Sequence, residues 1–336
     1  MSDKRKRDHI EMSVSSIPDK QFNLHHCAYE PMLSPHPTNV DQKKYTFLDY
    51  SFGMPLWVSS MTGGTEKAKT INENLAKACG EFNLGMGLGS CRPLLESNDR
   101  LEDFNVKHLM KDAPLFTNFG IAQLEELIDN NQQNKITDLI EKLNADGLVI
   151  HVNPLQEWAQ EEGDRFKKPP IQTIETLCET LNTHIIVKEV GQGIGPQSLK
   201  ALMDLPIAAI ELAAYGGTNF SILENRRRDP QSGHIPSQSE TFGYIGHTAQ
   251  EMVQYLNEIV CANPSNIEII ISGGIKDIIT GHTLRQSLNM NAIIGMASAL
   301  LKNAMGEYEQ LQTYLNEMQE CFLMAEAFIK PTPKET

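Results

Sequence analysis

"DGLVIHVNPLQEW", residues 146–158, changes character halfway along. Leu148, Val149 and Ile150 make an apolar, β-branched run of the kind found in a strand buried on both faces. His151, Asn153, Gln156 and Glu157 follow at once, a cluster of polar groups that no core strand would choose.

The same switch recurs along the chain. Apolar runs lie at Pro55 to Ser60, Leu84 to Gly89, Leu115 to Gly120, Gly147 to Val152, Ile185 to Val190, Ala208 to Ala213, Ile267 to Ser272 and Ala292 to Ala297. Longer segments of helical period separate them. In Thr65 to Gly80, for example, Ala68, Ile71, Leu75 and Ala78 share one face, and Gly80 is placed to stop the helix. Eight strands alternating with helices predict an α/β protein of the (β/α)8 TIM-barrel class. An open doubly wound sheet needs fewer strands and carries its glycine-rich turn after the first; here the glycines are spread over many turns.

The 336 residues are read as a single domain. Residues 1–50 form an N-terminal arm packed across the barrel, 51–302 the barrel, and 303–336 a C-terminal helical tail. A long irregular stretch from Thr218 to about Gly246, containing "ENRRRDPQSGH", lies between strands six and seven, and a loop of that length is usually functional.

Composition narrows the partners. With 40% hydrophobic and 21% charged residues the chain can bury a large core, and a net charge of −14 opposes nonspecific binding to nucleic acid or anionic lipid. Six cysteines without a CxxC pair, no signal-peptide pattern and no apolar run near the ~18 residues of a membrane span predict a soluble cytoplasmic protein with reduced thiols.

Every unusual motif stands just after an apolar run: "MTGG" (61–64), "GSCR" (89–92), "TNFG" (117–120), "HVNPLQE" (151–157), "KEVGQG" (188–193), "YGGTNF" (215–220), "SGGI" (272–275) and "GMAS" (295–298). In a barrel these turns gather at the C-terminal face, where active sites are built. Gly273 and Gly274 follow run seven, where backbone N–H groups commonly hold a phosphate; tight turns alone are the plainer reading of an isolated pair. Lys188 closes an Ile-Ile-Val strand and is rarely buried without a partner. A ligand ring carrying negative charge, such as a reduced flavin, would be one partner, and Glu189 another. His151 and Asn153, two apart, are expected on one strand face, with Gln156 and Glu157 on the loop after the helix-breaking Pro154. Glu157, without an adjacent carboxylate, suits Mg²⁺ shared with substrate phosphates and water. Arg5, Lys6 and His9 in "KRKRDHI" (4–10) read most simply as a solvated charge run, yet a diphosphate clamp needs only two or three such cations.

Taken together, "RKRDHI", "MTGG", "GSCR", "HVNPLQE", "KEVGQG", "GGTNF", "ENRRR" and "SGGI", in this order and spacing over roughly residues 4–325, make the chain resemble the type 2, FMN-dependent isopentenyl-diphosphate delta-isomerases. The resemblance implies an FMN-binding barrel that interconverts isopentenyl and dimethylallyl diphosphate with reduced flavin and Mg²⁺. NADPH would serve only as flavin reductant, and the assembly would be a homotetramer or larger. It assigns the flavin to Thr62, Ser90, Asn118, Lys188, Thr218, Gly273, Gly274 and Ala297, and the diphosphate to Arg5, Lys6, His9, His151 and Asn153. It gives Mg²⁺ to Glu157 and places Gln156 near the allylic carbons, which makes Gln156 and His151 the catalytic candidates beside the flavin. The chain departs from the family pattern at Ala214–Tyr215, where members usually carry Ser-Gly, and at "YIGHT" (244–248).

Two other readings stay open. A flavin-dependent hydroxyacid oxidase or dehydrogenase could use the same barrel with a histidine base, and a flavin-binding barrel without turnover would explain the altered stretches. A nucleophilic thiol at Cys91 is a remote third, since nothing in the sequence places a base near it.

Overall fold

The computed structural model describes residues 2–13, 15–16, 27–38, 44–60, 66–228, 238 and 240–332. Eight parallel strands close a barrel: β1 (Leu56–Val58), β2 (Gly85–Gly87), β3 (Leu115–Gly120), β4 (Gly147–His151), β5 (His184–Lys188), β6 (Ala209–Glu211), β7 (Glu268–Ser272) and β8 (Ala292–Met296). Each lies within one of the eight apolar runs or within one residue of it. β8 pairs with β1 through Ile294↔Leu56 and closes the ring.

Side chains on a strand alternate between faces, so every second residue points into the barrel. The inward apolar layer consists of Trp57, Phe116, Val149, Ile186, Ala209, Ile270 and Ile293, all essentially inaccessible to solvent. On β2 the matching position is Gly85, where a Cβ would stand 2.2 Å from the Trp57 ring. Glycine there leaves the space that the indole fills.

Below this layer the barrel is plugged by an antiparallel hairpin, Tyr45–Phe47 with Tyr50–Phe52. Leu48 and Asp49 at its turn both have positive φ (49° and 64°), the geometry of a tight two-residue hairpin. Phe47 and Phe52 bury their rings against Trp57 and the floor residues. The Tyr50 hydroxyl donates to Asp146 Oδ1 (3.1 Å), and the Leu48 N–H donates to the Glu268 carboxylate. The irregular stretch before the first strand therefore contains, in part, the stopper of the barrel's N-terminal end. Cys27–Tyr29 adds a short strand paired with Ile329–Pro331.

The helix after β1 runs from Glu66 to Phe82, two residues past Gly80. Asn83, in the left-handed region (φ 55°), ends it, while Gly80 sits where a Cβ would lie 2.2 Å from the Leu109 carbonyl oxygen. Gly80 is thus required by a close approach and not as a stop. Between β6 and β7 the irregular stretch contains a helix, Phe220–Arg228, and a 3-10 turn, Glu240–Tyr244. After β8 come the helices Ser298–Ala304 and Tyr308–Phe328; Leu311, Leu315, Met318 and Phe322 of the second bury one stripe against the barrel's outer shell. Among the described residues no helix is long and apolar enough to cross a membrane.

Candidate active site

Two residues beyond each member of the apolar layer lies the next inward layer: Ser59, Gly87, Asn118, His151, Lys188, Glu211, Ser272 and Gly295. The register confirms its level, with His151 beside Lys188 and Lys188 beside Glu211 as Cα partners, and Ser272 beside Gly295. An apolar floor carries a complete ring of small or polar groups. Above the ring opens a cavity of about 460 Å³, lined among others by Ser59, Lys188, Glu211, Thr218 and the turns after β6, β7 and β8.

At one end of the cavity two glycine pairs face each other. A Cβ on Gly217 would come within 3.0 Å of the Gly274 nitrogen, and one on Gly273 (φ 85°) would lie 2.2 Å from both the nitrogen and the oxygen of Ala214. Only hydrogen at these Cα atoms lets the two turns approach this closely at the cavity's edge. Ala297, from the turn after β8, lines the same end.

His151 is held by its neighbour on β3. Asn118 Nδ2 donates to the Leu88 carbonyl (2.9 Å), so Asn118 Oδ1 faces His151 Nδ1 at 2.8 Å and accepts its proton. The imidazole is thereby fixed as the Nδ1–H tautomer with Nε2 as acceptor. Burial, and then the Lys188 charge, push its pKa from 6.5 down to about 3. His151 is a neutral ring at physiological pH, not a standing cation for a diphosphate.

Pro154 starts a helix instead of breaking one: Pro154–Ala159 has proline at its first turn and Asn153 at its N-cap. Gln156 and Glu157 are accordingly helical, and Asn153 lies off the strand. Asn153 Nδ2 donates to Gln156 Oε1 (3.1 Å) and Glu157 Oε1 (2.9 Å), and the Asp164 N–H donates to Glu157 Oε2 (2.8 Å). The cluster is one hydrogen-bonded unit whose Asn153 Oδ1, buried, has no partner among the described residues. Each Glu157 oxygen accepts one N–H and keeps a second lone pair. No group of three or more His, Cys, Asp or Glu among the described residues could hold a metal by itself. Glu157 thus fits a cation shared with ligand oxygens and water, and not a closed protein cage.

Lys188 is buried and its Nζ donates to the Glu189 backbone carbonyl (2.8 Å), not to the carboxylate. Glu189 Oε2 instead accepts the N–H groups of Gly191 (2.6 Å), Gln192 (2.6 Å) and Gly193 (3.1 Å). Burial pushes the Glu189 carboxyl above its usual range, although the N–H groups of Gln192 and Gly191 oppose the shift. The side chain staples the turn that follows Lys188. Cys91 is fully buried, with its thiol pushed up to about 12 by desolvation, so it is no nucleophile. The two departures from the family pattern meet in space: a Cβ on Gly246 would lie 2.8 Å from Tyr215 Cβ, and the Tyr215 N–H donates to the His247 carbonyl (2.9 Å). Tyr215 turns onto this segment and does not line the cavity.

Of the residues singled out from sequence, Lys188, Thr218, Gly273, Gly274 and Ala297 line the cavity. Ser90 is spent near its own turn, its Oγ 3.5 Å from the Arg92 N–H, and Asn118 is spent on His151 and Leu88; neither lines it. Thr62 lies outside the described residues. Arg5, Lys6 and His9 are exposed on the helix Ser2–Met12 and, among the described residues, form no hydrogen bond or ion pair. Sequence reasoning missed Ser59 and Glu211. Glu211 was signalled by a carboxylate inside "AAIELAA" (208–214), two residues beyond an inward alanine.

The sequence is 32% identical over 324 residues to an isopentenyl-diphosphate delta-isomerase of Synechococcus, spanning 94% of this chain and 88% of that protein. It is 33% identical over 330 residues to the enzyme of that name from Synechocystis (94% and 89%), and 33% over 304 residues to that of Rickettsia canadensis (89% and 85%). The chain belongs to the isopentenyl-diphosphate delta-isomerase family. No family model matches the sequence. Solved structures with the same fold include a flavocytochrome b2 with sulfite bound (TM-score 0.56, 12% identity, 96% of this chain and 81% of that one) and a lactate oxidase of Pediococcus acidilactici (TM-score 0.54, 12%, 90% and 79%). At such identities the isomerase-family chain shares their barrel and nothing more specific.

Proposed function

We propose that this protein interconverts isopentenyl and dimethylallyl diphosphate with reduced FMN and Mg²⁺ in the cavity above the polar ring, as a single-domain barrel enzyme. The observation that carries the reading is the cavity's division of labour. It has a double-glycine cradle at one end and Lys188 in its lining, while the Asn153–Gln156–Glu157 unit, outside that lining, stands at the end of the neighbouring β4 strand. FMN fits the first part through Gly273, Gly274, Ala297 and Thr218, with Lys188 toward its ring. When bound and reduced, it supplies acid–base and charge-stabilising chemistry to an unactivated alkene, with NADPH as its reductant.

The protein's own groups do the positioning. Lys188 supplies a positive charge from a buried position, where it acts more strongly than in bulk water. Burial and the Lys188 charge hold His151 neutral, and Asn118 fixes its tautomer, so that Nε2 accepts from a protonated ligand oxygen. Glu157 shares Mg²⁺ with the diphosphate, Gln156 faces the isomerising carbons, and the exposed cations Arg5, Lys6 and His9 add to the clamp on the diphosphate. Glu157→Ala and Gln156→Ala are each expected to lower isomerisation by at least about 100-fold at saturating Mg²⁺; turnover unchanged in either variant removes that residue's role.

The alternative chemistry is tested on the same preparation. Lactate and mandelate, added anaerobically to the FMN-loaded protein, are expected to leave the oxidised flavin spectrum unchanged. Rapid bleaching by either would instead mark a hydroxyacid oxidoreductase.

A further inference from the structure

Three buried oxygens at the base of the cavity have no hydrogen-bond partner among the described residues: Ser59 Oγ, Ser60 Oγ and Glu211 Oε2. All three residues line the cavity. Glu211 is 1% exposed, and among the described residues it forms no ion pair. Lys188, its Cα partner across the β5–β6 ladder, turns its ammonium to the Glu189 carbonyl. The remaining hydroxyl of the ring, Ser272 Oγ, already accepts the Ala213 N–H (3.0 Å). Buried polar atoms are nearly always satisfied, and a carboxylate oxygen left without a donor is among the costliest exceptions. Three such atoms beside one cavity call for a ligand that brings donors.

The chemistry of the set narrows the ligand. A carboxylate only accepts, while two serine hydroxyls both donate and accept. A chain of hydroxyl groups satisfies all three, whereas a phosphate, which offers acceptors, would be repelled by Glu211. Position agrees: Ser59 and Glu211 sit on the inward layer and Ser60 just after β1, beside Lys188 and the glycine cradle in the lining of one cavity, where the middle of a ligand anchored at both ends must lie. We infer that Glu211, Ser59 and Ser60 form a subsite for a polyhydroxylated chain. On the flavin reading above, from which this inference takes its ligand, the chain is the ribityl link between phosphate and ring, and Glu211 selects flavins that carry it.

The test is binding, followed by quenching of flavin fluorescence, for FMN, riboflavin and lumiflavin, which has the ring without the hydroxyls. Glu211→Ala is expected to weaken FMN and riboflavin at least tenfold and to leave lumiflavin unchanged. Glu211→Gln keeps the side-chain shape but presents an NH₂ donor to the hydroxyls, and is expected to weaken the same two ligands; it carries the test if the alanine variant does not fold. Equal weakening of lumiflavin would place Glu211 at the ring edge and overturn the subsite, as would FMN affinity unchanged in both variants. Wild-type protein that binds none of the three flavins would overturn the flavin reading itself.

Discussion

Gly273→Ala is expected to reduce FMN affinity by at least about 100-fold. A Cβ at this position would lie 2.2 Å from Ala214 N and 2.2 Å from Ala214 O, and the residue has φ 85°. Both conflicts are with backbone, so no rotamer change relieves them, and the left-handed conformation adds about 1–2 kcal/mol for any L side chain. The turn must open, and the N–H groups of the cradle move away from the phosphate position. Gly306→Ala is the control, since its nearest atom is the flexible tip of Gln310 at 2.9 Å. Fluorescence titration with FMN separates the two variants, and equal affinities would mean that the cradle does not hold the cofactor's phosphate.

The second large effect is on stability in acid. His151 carries its proton below pH 6.5 in the unfolded chain, but in the folded protein only below about 3. Between those values the unfolded state binds more protons, so stability falls as the pH drops from 6.5 toward 3. At about 1.4 kcal/mol per pH unit the loss from this residue approaches about 5 kcal/mol across the window. His151→Asn removes the titration. The difference in urea midpoint between wild type and variant should therefore shift steadily in the variant's favour below pH 6.5. A difference independent of pH would show that the ring is not held neutral in the fold.

How much of this the sequence discloses depends on where the information resides. The eight strands could be read because each is buried on both faces and is therefore a short continuous apolar word, as in "LVI" (148–150) or "EIIIS" (268–272). The convergence of polar turns on one barrel face followed from that count alone. The hairpin Tyr45–Phe52 could not be read as a plug, because Phe47 and Phe52 acquire their role from Trp57 and Phe116, which the barrel brings to them. Gly80 was misread as a helix stop because its reason is the Leu109 carbonyl, 29 positions away in sequence. Pro154 reads as a breaker in sequence, yet proline is equally at home in the first turn of a helix, which is where the fold places it.

The site shows the same division. Residues in turns, such as Gly273, Gly274 and Thr218, stand out by their composition, and they line the cavity. Those on the strands need the alternation of faces as well. Adding two to each inward apolar residue yields Ser59, Asn118, His151, Lys188, Glu211 and Ser272, but that addition requires knowing which residues point inward. Asn118 shows the further limit. Its place beside the site could be read, whereas its commitment to His151 Nδ1 and the Leu88 carbonyl appears only in three dimensions.

The central claim is tested most directly by anaerobic incubation of the purified protein with isopentenyl diphosphate, Mg²⁺, FMN and NADPH, with a parallel reaction lacking FMN. Dimethylallyl diphosphate formed only when reduced FMN is present, with no net consumption of NADPH per turnover, is the predicted result. Protein that binds FMN yet forms no dimethylallyl diphosphate, or forms it equally well without the flavin, would contradict the account.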